Sequence, residues 1–113
     1  MQNVNEEQLA PVIIDITAAK NNQVDESYLL AMGSAIKYVL QRMFSPGSAG
    51  SFKVRGSRSE IDSFMKTLGA EKKYLQSYMK NGLNNPQTYK SGRKLSAAIN
   101  NFKKVTGLKW PFK

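Results

Sequence analysis

The stretch from Ser57 to Gly82 constrains this fold more than any other part of the chain. Ser57 with Glu60, or Ser59 with Asp62, has the spacing at which an N-cap hydroxyl and an N3 carboxylate each satisfy one unpaired backbone N–H at a helix start. Ile61, Phe64, Met65, Leu68, Leu75 and Met79 then recur on one face of a 3.6-residue period. Lys80-Asn81-Gly82-Leu83 reads as a glycine C-cap followed by an apolar contact. The spacing predicts a helix of about six turns. Gly69, near its middle, costs roughly 1 kcal/mol relative to alanine and would mark a close packing point or a break.

Such a stripe must be buried against other elements, and two segments offer matching faces. Leu29, Met32, Ile36, Val39, Leu40 and Met43 form a stripe on a helix that Asp25 or a neighbour can cap, with Glu26 in its first turn, where the helix dipole favours an acid. Leu95, Ala98, Ile99, Phe102 and Val105 form another, on a final helix that Gly107 stops. The loop Ser45-Pro46-Gly47-Ser48-Ala49-Gly50 separates the two halves.

Two short segments are less regular. Ser51 to Gly56 alternates polar and apolar residues as a half-exposed strand does. A lone strand leaves its backbone unpaired, so its partner is residues 12–16, if they are extended, or the same strand in a second copy. Residues 9–17 show both periods: Leu9, Val12, Ile13 and Ile16 recur at helical spacing behind an Asn5/Gln8 pair, whereas Pro11 and the β-branched run Val12-Ile13-Ile14 suit a strand. The helical reading is preferred here. The expected fold is mainly α, a small helical domain of three to four helices with at most one short β element. It is a single domain over 1–113: a mildly acidic helical part (1–44), a loop (45–50) and a basic strand-helix-helix part (51–113) whose two helices pack antiparallel.

Composition removes whole classes of chemistry. With no cysteine and no histidine, a disulfide framework, thiolate metal sites and serine–histidine or cysteine–histidine catalysis are out of reach. Gly47 and Gly50 lack the lysine-serine pair of a phosphate-binding loop. Glu60, Asp62 and Glu71 are expected to cap their helix and pair with Lys72 and Lys73. No enzyme, cofactor or metal is therefore expected. Met1 to Gln8 lacks the basic start and apolar core of a secretory signal. No apolar run approaches the roughly 20 residues that span a bilayer, so a cytoplasmic location is expected and membrane partners are not.

Charge is the feature left to interpret. The chain carries +9 in all, but Met1 to Phe44 is net −2 while Ser45 onward is net +11. Such asymmetry points to a polyanionic partner. Basic residues interleave with tyrosines, whose flat faces can stack on bases. The candidate nucleic-acid-binding residues are Lys72, Lys73, Lys80, Tyr89, Lys90, Arg93, Lys94, Lys103 and Lys104. Tyr74 and Tyr78 lie beside the apolar face and can instead complete the core. A helix-turn-helix is disfavoured because a Gly82–Lys90 connection is too long for that motif, unless the last helix starts at Pro86.

The leading expectation is a non-enzymatic nucleic-acid-binding accessory protein, DNA or RNA unspecified. The alternative is a small interaction or assembly factor of the virus-derived kind. It would dock on an acidic protein surface through the N-terminal apolar helix and the tail residues Trp110 and Phe112, with a homodimer also compatible. For the tail itself, packing into the core is preferred to exposure, because large exposed aromatics need a reason.

Overall fold

The computed structural model describes residues 12–21, 26–44 and 52–112. The elements run β1 (Val12–Asp15), α1 (Ile16–Asn21), α2 (Glu26–Met43), β2 (Phe52–Arg55), α3 (Arg58–Asn81) and α4 (Pro86–Thr106). The fold is mainly α with one small β element. The Asn5/Gln8 pair, Pro11, the Asp25 cap and the 45–50 loop lie outside the described residues.

The helical reading of residues 9–17 is corrected within its described part. Val12 to Asp15 is a strand and the helix begins only at Ile16. β1 pairs in parallel with β2, Val12 opposite Phe52 and Ile14 opposite Val54. Two parallel strands need a crossover connection, and the segment holding α1 and α2 supplies it. Pairing with β2 satisfies the backbone of a β-branched run that a helix would accommodate less well. Asp15 then turns the strand into α1: its Oδ1 accepts the Ala18 N–H at 2.9 Å, and its other oxygen faces Arg55 at 3.8 Å. The partner that β2 requires is thus within the same chain.

The core forms where β1, α1 and α2 meet the first half of α3 and the end of α4. Ile14, Ile16, Ala19, Met32, Ile36, Val39, Leu40, Phe64, Leu68, Phe102, Leu108 and Trp110 make one cluster. Its centre is aromatic. The Trp110 ring lies 5.3 Å from Phe102, edge to face, and 5.8 Å from Phe64, in the tilted arrangements aromatic quadrupoles favour. On α3 the buried residues stop at Glu71, because the rest of the domain covers only that half. Of the expected α3 stripe only Phe64 and Leu68 belong to the core cluster: Ile61 and Leu75 are half-buried, Met79 is exposed beyond the covered half, and Met65 is exposed within it. Leu83, expected to fold back on the C-cap, is exposed as well.

α3 starts as its sequence requires. Glu60 N–H donates to Ser57 Oγ at 3.2 Å while Ser57 N–H donates to Glu60 Oε1 at 2.8 Å, so of the two spacings the Ser57/Glu60 pair makes the box. Its end and that of α4 use the two glycines with positive φ, Gly82 and Gly107, at +80° and +76°, where a side chain would be strained. Gly107 turns the chain back so that Leu108 and Trp110 enter the core.

α3 and α4 form an antiparallel hairpin. α4 does begin at Pro86, with Asn85 as N-cap accepting from Gln87 N–H at 2.9 Å. The short connection removes the length objection to a helix-turn-helix, but the geometry differs from that motif. Ser63 meets Asn101, Thr67 meets Ala98 and Ser77 meets Thr88, a constant register along nearly the whole length of both helices. A helix-turn-helix crosses instead at roughly 90–120°.

Candidate nucleic-acid interface

The hairpin presents two concave flanks, and the basic residues sort between them. On one flank a groove of about 410 Å³ is lined by Met65, Lys66, Gly69, Ala70 and Lys73 of α3 and by Gln87, Lys90, Ser91 and Lys94 of α4. The helical repeat explains the gathering. Lys66 and Lys73 are seven positions apart and Lys90 and Lys94 four, so each pair shares a helix face. The antiparallel packing then brings the two faces together. The floor is open because Gly69 carries no side chain: nothing lies within 4 Å of where its Cβ would be. Gly69 is therefore neither a packing point nor a break.

Among the described residues none of these four lysines forms an ion pair. The ion pairs there are Lys20–Glu60 and Arg55–Asp15, and neither involves the groove. Asp62 lies one turn before Lys66 on α3, but no aspartate or glutamate follows Glu71 and α4 contains none. Four unpaired ammonium groups around an open hollow repel one another and attract an anion.

The other flank of α4 carries a hollow of about 300 Å³ whose lining includes Tyr74, Leu83, Tyr89 and Arg93. Tyr89 is 56% exposed, and its hydroxyl donates to Asn84 Oδ1 at 3.3 Å. Between the two flanks, the outward face of α4 carries Arg93 and Lys104, eleven positions apart and so on nearly the same side of the helix.

The sequence-derived candidates are thus divided. Lys73, Lys90 and Lys94 come together; Lys66, which the sequence pattern does not single out, joins them. Lys80 extends the same α3 face two turns beyond Lys73, and Lys72 is half-buried off that face. Lys103 and Lys104 sit in the last turn of α4, at the far end of the hairpin.

The two acids of α3 that are buried serve the fold. Lys20 Nζ donates to Glu60 Oε2 at 2.6 Å. That bond, with the Ser57 N–H next, holds the Glu60 carboxyl below its ordinary value of 4.5. The expected pairing of Glu71 with Lys72 and Lys73 is not made; Glu71 instead accepts the Trp110 indole N–H at 2.9 Å. That bond fixes the tail, for Trp110 is 1% exposed and Phe112 is half-buried against it at 6.1 Å. Trp110 is a core residue and has no face left for docking. The apolar stripe of α2 is likewise turned inward at Met32, Ile36, Val39 and Leu40.

No helix among the described residues is long and apolar enough to cross a membrane, and no cluster of acids there could hold a metal ion. Comparison with protein-family models, with curated proteins and with solved structures finds no match.

Proposed function

We propose that this protein binds nucleic acid through the α3–α4 hairpin, as an accessory protein without catalysis of its own. The observation that carries the reading is the groove in which Lys66, Lys73, Lys90 and Lys94 converge without an ion pair among the described residues. A run of phosphates supplies the repeated negative charge such a surface attracts. Displacement of the counterions held by the nucleic acid would drive the association. Lys80, Arg93 and Lys104 extend the positive field along and across the hairpin. The interaction-factor alternative loses support, because Trp110 and most of the α2 stripe are internal.

The test is a titration of labelled single- and double-stranded DNA and RNA at low and near-physiological salt. Binding is expected to weaken steeply as salt rises. Changing the four groove lysines to glutamine should reduce the slope of log K against log salt by about 0.7–0.9 for each phosphate that is no longer neutralised. Absence of binding at low salt, or a slope untouched by the four substitutions, overturns the proposal.

A further inference from the structure

Resting on that reading, we infer that the nucleic acid is single-stranded and that one of its bases stacks on Tyr89, in the hollow on the flank of α4 opposite the lysine groove. The two hollows are set about half a turn apart around α4: Gln87, Lys90, Ser91 and Lys94 line one, and Tyr89, Gly92 and Arg93 line the other. A strand reaching both must wrap the convex outer face of α4, passing Lys90 and Arg93. A duplex is too stiff to follow that path, and its bases are stacked inside it and unavailable to a side-chain ring. A single strand can bend around the helix and turn a base outward.

The second hollow has the chemistry a base requires. Tyr89 is exposed, and its hydroxyl donates to Asn84 Oδ1 at 3.3 Å, which leaves the faces of the ring free of that contact. Arg93, one turn on, adds a planar cation that can stack on the base or meet its phosphate. The exposed side chain of Leu83 supplies an apolar wall. Gly92 stands against the Tyr74 ring, where a Cβ would lie 3.3 Å from Cε1, so a larger residue would crowd the hollow from its floor. Phosphates on one flank and a base on the other form the pairing of basic track and aromatic platform that single-strand binders use.

The experiment measures affinities of the full chain and of Tyr89→Ala and Tyr89→Phe for labelled single-stranded DNA, single-stranded RNA and a duplex of the same length. Circular dichroism and Trp110 fluorescence verify the fold of each variant. The inference expects single strands to bind more tightly than the duplex. It expects Tyr89→Ala to weaken single-strand binding about 5- to 150-fold with the salt slope unchanged, and Tyr89→Phe, which keeps the ring, to stay near wild type. Duplex binding as tight as single-strand binding overturns it. So does a Tyr89→Ala variant that binds single strands like wild type; in that case loss of binding in the groove-lysine variants would leave the parent reading standing. No binding of any nucleic acid at low salt overturns both.

Discussion

The inward and outward sides of the α3–α4 hairpin belong to the same two helices and treat polar groups in opposite ways. Inside, the buried polar groups are partnered. Thr67 shares its hydroxyl between the carbonyls of Ser63 and Ala98 at 2.8 and 3.2 Å. Thr88 donates to Gly82 O at 2.8 Å, Thr106 to Phe102 O at 2.7 Å, and Glu71 accepts from Trp110. Outside, four lysines line a hollow and none of them forms an ion pair among the described residues. A buried polar group without a partner costs about 1–3 kcal/mol, whereas water solvates an exposed ammonium at no such cost. The inward side therefore reports what folding demands, and the outward side is free to report what binding demands.

The comparison breaks first, if it is wrong, at the tail. Trp110→Ala removes the ring that joins Phe64 and Phe102 and leaves the buried Glu71 carboxylate without its indole donor. It is expected to lower unfolding stability by about 3–5 kcal/mol, read from the midpoint and slope of urea denaturation. A loss below about 1 kcal/mol, the size of an ordinary surface change, would show that the tail is not part of the core.

A smaller effect, with a pH signature, is expected at the start of α3. Glu60→Gln keeps an acceptor for the Ser57 N–H but loses the ionic bond to Lys20. The Glu60 carboxyl is lowered in the folded state, so its ionised form stabilises the fold at pH above its unfolded value. That contribution disappears as pH falls through the lowered one. Wild type should therefore be more stable than Glu60→Gln at about pH 7, and the gap should close on acidification below about pH 4.5. A gap constant across that range would remove the ionic bond from the account.

The smallest effect on stability belongs to the lysines. Changing Lys66, Lys73, Lys90 and Lys94 to glutamine should shift the thermal midpoint little, each within about 0.5 kcal/mol, and toward higher stability where mutual repulsion is relieved. Marked destabilisation would mean that these side chains hold the fold, and would dissolve the distinction between the two sides.

The inward side is the more legible in sequence. The apolar period places α2, α3 and α4, the capping spacing places the start of α3, and glycines place the ends of α3 and α4, since these signals are local. β1 is ambiguous because Val12-Ile13-Ile14 satisfies two periods, and only pairing with the distant segment Phe52–Arg55 decides between them in favour of the strand. The exposure of Met79 is hidden for a related reason: periodicity tells which face is apolar, but not how far along a helix the neighbours reach; Met65, within the covered half, lines the lysine groove instead. At the site, Lys73, Lys90 and Lys94 stand out through their basic neighbours, whereas Lys66 has none in sequence. Its membership follows from the register between α3 and α4, which no short window contains. The Glu71–Trp110 bond, spanning 39 positions, is hidden in the same way.

The short connection between α3 and α4 also sets the entropy of chain closure. Bringing the two helices together closes a short loop, while pairing β1 with β2 closes one about ten times longer, and the logarithmic dependence on length makes the second roughly 2 kcal/mol more costly. The lysine groove is lined entirely by the hairpin, so the surface offered to a partner lies on the part of the chain with the smaller closure cost.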